Sequence, residues 1–314
     1  MFFDKFEIKQ YKEIFYEDLN LSYKESFDID FLTKNDYSKR FKLNNEYSSF
    51  LLINRENKII VGHIGFKLNN LNLDIKGKIA FRFSTFISPN YRGTGLYKYF
   101  MDMVKKLLVK KFDVKFIFAW PNINNLISCL KDMDYLNQNP IITWQHYLGN
   151  MEYSYNKQDN YLVEDINESD FKIQFRPNKY DLTFENVEDL KSILFNRNNK
   201  KYKLVLSGYN FLIIGESKIK NNTYLSVVLF RGMTIDAIIS ILNQIYNGQN
   251  LNHNNKNNIV QIWCNPNDRF LLSSLLKARF LPNGPVFYNG VYELTNIKFP
   301  SNQYFPCMYN HDAF

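Results

Sequence analysis

The sequence predicts an α/β (α+β) protein built from two tandem domains, each a mixed, largely antiparallel central sheet flanked by helices. Three observations carry that prediction. The chain has 314 residues, about twice the ~150 of a common domain. Its hydrophobic period switches repeatedly between that of strands and that of helices. The order of these elements then runs through twice. Hydrophobic residues make up 45% and charged residues 22%, values that suit a buried core and exclude disordered, collagen-like or mucin-like chains.

The first half opens with a short strand around Phe6 to Ile8, then amphipathic segments at 11–27 and 29–43 that read as helices. Ser49 to Asn54, the polar turn Arg55 to Lys58, and Ile59 to Leu68 read as a hairpin. Lys78 to Ser88 follows a turn at Gly77 and is the next strand. At Pro89 the period changes. Pro89-Asn-Tyr-Arg-Gly-Thr-Gly95 is a turn-rich loop, after which Leu96, Phe100, Met103, Val104, Leu107 and Leu108 recur at helical spacing. Val114 to Trp120 reads as a buried strand, 122–133 as a helix and Ile141 to Leu148 as the strand that closes the first domain.

The polar stretch 149–162 has little to bury and marks the boundary, giving domains over 1–152 and 160–314. Beyond it come a helix at 184–195, strands at 202–206, 209–217 and 223–230, a helix at 234–247, a strand at 259–264, a helix at 268–278 and a last strand at 286–294. Residue matches accompany the repeated order. Trp120-Pro121-Asn122 corresponds to Trp263-Cys264-Asn265, and each precedes a helical pattern. Tyr91-Arg92-Gly93-Thr94-Gly95 falls opposite Phe230-Arg231-Gly232-Met233-Thr234. Gly95 in the first copy is therefore Thr234 in the second.

Charge and composition remove several classes of function. Of 39 basic residues, giving a formal net charge of +8, only nine are Arg. Abundant Asn, Ile, Tyr and Phe beside Lys point to a coding bias, and singly solvated lysines do not make a clustered, planar phosphate reader. No nucleic-acid partner is expected. Cys129, Cys264 and Cys307 form no close pair, and the four histidines show no ligand spacing, so neither a disulfide framework nor a metal site is expected. No apolar run is long enough to span a membrane, and the charged opening Met1-Phe-Phe-Asp-Lys is unlike a signal peptide. The chain reads as a cytoplasmic protein.

The loop after the strand 78–88 is where chemistry is expected. Glycines let a main chain approach an anion closely, and the first amides of the following helix, which lack intrahelical acceptors, converge on it. Read alone, such a loop is also an ordinary surface turn. Arg92-Gly93-Thr94-Gly95-Leu96-Tyr97, between that strand and the helix to Lys111, resembles the pyrophosphate-binding motif R-x-x-G-x-G or A of the GNAT acetyltransferases. It departs at Tyr97, where the family has a small residue. A bulky residue there, with Trp120-Pro121-Asn122 after the next strand, resembles a subgroup of bacterial GNAT proteins.

The resemblance implies two GNAT-like domains, catalytic in the first half and degenerate in the second. It implies acetyl-CoA as donor and direct attack on the thioester by the amine of a small molecule, an amino sugar or amino-acid derivative, bound in the cleft between the domains. Phe86 and Ile87 would pair their backbone with the pantetheine arm, and the amides of Arg92, Gly93, Thr94, Gly95, Leu96 and Tyr97 would hold the pyrophosphate. Asn122 would contact the pantetheine or the adenylate, and the backbone near Ile87 would stabilise charge on the thioester oxygen. The family's frequent acid, a Tyr, falls at Leu130 here.

For proton transfer the sequence offers His63, within Val-Gly-His-Ile-Gly, and more weakly His146. A lone histidine on a strand equally reads as a buried structural residue. Two other readings stay open. Tandem halves also resemble the Fem-type acyltransferases that use aminoacyl-tRNA, and a duplicated domain without acid or base could be a non-catalytic module that binds CoA or an anion.

Overall fold

The computed structural model describes residues 2–28, 33–34, 47–71, 76–121, 136–137, 140–148, 162–165, 190, 194, 201–207, 210–247 and 257–299. In chain order its main elements begin with β1 (Phe6–Gln10), α1 (Tyr16–Phe27), β2 (Tyr47–Asn54), β3 (Ile60–Asn70), β4 (Lys78–Ile87), α2 (Leu96–Phe112), β5 (Val114–Ala119) and β6 (Leu136–Asn137). They continue with β7 (Ile141–Tyr147), β8 (Leu162–Asp165), β9 (Lys201–Ser207), β10 (Asn210–Ile219), β11 (Asn222–Arg231) and α3 (Ile235–Asn247). The last are β12 (Asn257–Cys264), α4 (Arg269–Lys277), β13 (Val286–Phe287) and β14 (Gly290–Glu293). The helices expected over 29–43, 122–133 and 184–195 lie wholly or mostly outside the described residues.

Two units result, Met1–Gln138 with Tyr288–Ser301, and Asn139–Phe287 with Asn302–Phe314. The first holds a sheet in the order β1-β2-β3-β4-β5-β14-β6, the second a sheet in the order β13-β7-β12-β11-β10-β9-β8. Each is antiparallel except for one central parallel pair, β4 with β5 and β11 with β12. The predicted class, mixed sheets flanked by helices, is what the chain forms.

In the first unit α2 buries Leu96, Phe100, Met101, Val104 and Leu108 on Ile64, Phe66, Leu68, Ala80, Ile117 and Ala119 of β3, β4 and β5. Residues spaced three and four apart share a helix face, so this stripe points at the sheet. Met103, counted into the stripe from sequence, is 37% exposed, and Met101 is buried instead. Both lie within one turn of Phe100 and Val104, and spacing alone does not say which flank the sheet covers. On the opposite face Tyr16 and Leu19 of α1 meet Leu51, Ile53, Ile60 and Phe86. Covered on both sides, β3 is buried at successive residues rather than at alternate ones.

In the second unit α3 lays Ile235, Ile238, Ile239 and Leu242 against Leu212 and Ile214 of β10, Leu225 and Val227 of β11, and Val260 and Ile262 of β12. The other face of this sheet carries different chemistry, described below.

One expectation about the strands is corrected. The strand at 141–148, taken from sequence to close the first sheet, pairs in the second, with Ile142 opposite Cys264 and Tyr147 opposite Ile259. The first sheet is completed by β14, with Gly290 opposite Ala119 and Glu293 opposite Phe116. Each half of the chain thus lends one strand to the other's sheet. Apolar patterning marks a segment as a strand and sets which face is buried, but carries no address for its neighbour. Among the described residues no helix is long and apolar enough to cross a membrane.

The exchange predicts that residues 1–152 expressed alone, lacking β14 between β5 and β6, will show no cooperative thermal transition, while the full chain does. A sharp two-state melt of the piece would contradict this assignment.

Candidate functional site

The site forms where β4 and β5 part. Their parallel pairing runs from Lys78 opposite Val114 to Arg82 opposite Ala119 and ends there. Among the described residues β4 continues to Ile87 paired with β3 alone, where Gly62 faces Ile87. The segment Phe83–Ile87 therefore presents one open edge. Ser88 N donates to Val61 O at 2.9 Å. Successive peptides of a strand face opposite edges, so the Phe86 groups also face β3 and those of Ile87 face the opening. Of the two residues expected to pair with a pantetheine arm, Ile87 is turned to do so.

A bulge lies just past the point of parting. His63 pairs with Phe86 and Gly65 with Phe83, so Ile64 alone opposes both Ser84 and Thr85. Ser84 takes up the extra length at φ 44°, in the left-handed region, which costs a residue with a Cβ about 1–3 kcal/mol. Its carbonyl is held by His63. Nδ1 donates to Ser84 O at 2.5 Å, while Nε2 lies 2.6 Å from Ser49 Oγ. Because a carbonyl can only accept, Nδ1 carries the proton and Nε2 accepts from the Ser49 hydroxyl. Burial drives the His63 pKa down to about 4, against the bond to the Ser84 carbonyl.

This corrects the expectation that His63 is a general base facing a cleft. The ring is 0% exposed and both nitrogens are engaged. It is a strut for the bulge. His146 is corrected likewise. It belongs to β7 of the second sheet, opposite Val260, and its buried ring lies 5.1 Å from Phe280. Burial lowers its pKa, and bonds to the carbonyls of Arg279 and Ala278 oppose that shift.

The loop after β4 is open. Gly93 has φ 76° and Gly95 φ 80°, a backbone that only glycine adopts without strain. A Cβ at Gly93 would meet nothing within 4 Å, and one at Gly95 only the tip of Phe3 at 3.9 Å. Gly95 is the N-cap of α2 and has no side chain with which to cap the first turn. Thr94 does not substitute, since its Oγ1 donates back to Tyr91 O at 2.7 Å. Uncapped main-chain amides at the positive end of a 17-residue helix suit an anion. Arg92 braces it from outside, with Nε donating to Ile87 O at 3.0 Å and Nη2 to Ser26 O at 3.1 Å.

Leu96 is fully buried. Tyr97, the bulky departure from the motif, packs at the edge of the core, and its hydroxyl accepts from Arg82 Nη1 at 2.8 Å. The bulk is thus directed toward the last β4 residue that still has a partner on β5, and α2 docks normally. Asn122 lies outside the described residues. Sequence reasoning missed Ser49, Arg82 and Ser84. A serine two residues into a strand or an arginine amid Phe81 and Phe83 carries no signal until register places it.

The matching loop of the second unit is closed. At Gly232, φ 70°, the Asn210 carboxamide fills the place a Cβ would take. Thr234 Oγ1 accepts from Ala237 N at 3.2 Å, capping α3 from within.

With this geometry in view, the model of the acetyltransferase (GNAT) family matches residues 12–129. Those residues, in the first half of the chain, carry the likeness to a GNAT domain. Solved structures extend the likeness of fold over both units. A GCN5-related N-acetyltransferase from Anabaena variabilis ATCC 29413 superposes with TM-score 0.66 at 12% identity, covering 92% of this chain and 73% of its own. One from Kribbella flavida gives 0.61 at 10%, covering 92% and 72%. A tandem GNAT protein from the clavulanic acid biosynthesis pathway gives 0.54 at 9%, covering 93% and 100%. No curated protein matches the sequence. The GNAT match supplies the class of activity, acyl transfer, and among the described residues no cluster of His, Cys, Asp or Glu is placed to hold a metal.

The His63 strut makes stability pH-dependent. Its folded pKa, about 4, lies below the 6.5 of a free histidine, so between these values the unfolded chain binds more protons and the native state loses stability as pH falls. The loss is about 3 kcal/mol at most and is complete below about pH 4. Chemical denaturation of the wild type should therefore steepen against pH between 6.5 and 4 relative to His63→Gln. Identical slopes would show that the ring is not buried neutral.

Proposed function

We propose that the first unit transfers the acetyl group of acetyl-CoA to the amine of a small molecule, such as an amino sugar or an amino-acid derivative. One observation carries this reading: the uncapped, left-handed loop Gly93–Gly95 heads α2 directly beside the open edge of β4. The residues present fit the donor. Among the described residues no atom lies within 4 Å of the place a Cβ would take at Gly93, and the amides from Gly93 to Tyr97 would hold a diphosphate. Ile87 N–H faces the opening, placed to pair with the pantetheine amides or to stabilise charge on the thioester oxygen. The cofactor supplies an activated acetyl carbon. The amine nitrogen bonds to that carbon, the carbon–sulfur bond breaks, the amine loses one proton and the thiolate gains one.

The chain's own contribution is positioning. β4 has no Asp or Glu between Lys78 and Ser88, and His63 is locked away from solvent, so the acceptor amine enters already neutral and orientation lowers the barrier. The rate should then rise with pH along the ionisation of the acceptor, without an inflection near 6.5. A step at that pH, lost in His63→Gln, would restore the histidine as base.

Calorimetry separates the donor reading from its rivals. Acetyl-CoA should bind the wild type, Gly95→Glu should weaken it at least about tenfold through strain and charge repulsion, and Arg231→Ala should leave it unchanged. Absence of binding to the wild type would remove the donor site. Binding without CoA release above hydrolysis across an amine panel would leave a binding module in place of an enzyme.

A further inference from the structure

The second unit has a fork of its own. Parallel pairing of β11 with β12 ends at Ser226 opposite Gln261, and the β10–β11 register slips by one residue beyond it, between Ile213 and Ile214. Gln261 in turn faces Gln145 of β7. Ser226, Gln261 and Gln145 therefore form a polar row across three adjacent strands, on the face opposite α3, alternating with the apolar residues that α3 covers.

This row floors a cavity of about 480 Å³, walled further by Tyr202, Tyr224 and Asn283, within the range of roughly 300–1,000 Å³ usual for small-molecule sites. Ser226 and Gln145 are 7% and 8% exposed. Their hydrogen bonding is incomplete. Ser226 Oγ reaches Gln261 Oε1 only at 3.5 Å, and the Gln145 carboxamide lines the cavity with no partner among the described residues. Leaving such groups unpaired costs about 1–3 kcal/mol each, a cost that a bound ligand with matching donors and acceptors would remove.

The lining also fixes the ligand's character. Glu216, the one charged member among the described residues, is turned to other partners, accepting from Tyr246 of α3 at 3.3 Å and lying 3.8 Å from Lys218. Among the described residues no Lys, Arg or His lines the cavity. Carboxamides, hydroxyls and two tyrosines, with no basic group among the described lining residues, suit a hydroxyl-rich ring that bears no anionic group. We propose that the second unit binds an uncharged saccharide of monosaccharide size at this fork, a site independent of the acetyl-CoA reading of the first unit.

Titration of the full chain with N-acetylglucosamine, followed on the side-chain carboxamide resonances of Gln145 and Gln261, tests this. Both should shift with millimolar or tighter affinity, glucose 6-phosphate should bind at least about tenfold more weakly, and Gln145→Leu and Gln261→Leu should each weaken the neutral sugar by about tenfold. No shift in the millimolar range, equal binding of the phosphorylated sugar, or unaltered affinity in folded variants would each overturn the proposal. Should a variant fail to fold, the wild-type resonances decide.

Discussion

Ser84 gives β4 one residue more than β3 can pair, and the strand has left β5 just before it. The rest of the first unit follows from that parting. β5 ends at Ala119, its last pair with β4, so among the described residues the peptide of Ile87 has no strand on that edge. The left-handed turn at Ser84 is unfavourable by itself and needs a fixed partner for its carbonyl. His63 supplies one from β3, Ser49 fixes the other side of the ring, and burial keeps the imidazole neutral so that the donor and acceptor roles do not change near neutral pH.

The two units show how one scaffold carries different chemistry. Both have a central parallel pair that separates and an irregular register near the separation. They differ in small side chains at one turn. Two glycines leave the head of α2 bare in the first unit, whereas Asn210 and Thr234 occupy the corresponding space and amides in the second. Helix dipole and strand geometry are alike in both, so access to main-chain N–H groups decides where an anion can sit.

Much of this was legible in the sequence because it is local. The change of period at Pro89, the glycines at 93 and 95 and the helical stripe after them act within one strand, one turn and one helix. The loop's openness and the closure of its counterpart were also foreshadowed by Gly95 against Thr234. What stayed hidden depends on register or on distant pairing. Ile141–Tyr147 and Gly290–Glu293 read correctly as strands, but hydrophobic pattern could not say that each completes the other half's sheet. His63 invited a catalytic role because its titration range is suggestive, and only the placement of Ser49 and Ser84 on either side of the ring reveals a strut. Tyr97 looked like a defect in a phosphate motif, yet Arg82, fifteen positions earlier, donates to its hydroxyl.

A crystal structure of the chain grown with acetyl-CoA tests the central claim most directly. The account predicts phosphate oxygens about 3 Å from the amides between Gly93 and Tyr97, the pantetheine arm along the open edge of β4, and the turn at Arg231–Thr234 unoccupied. A diphosphate held anywhere else, or β4 and β5 zipped together past Ala119, would contradict it.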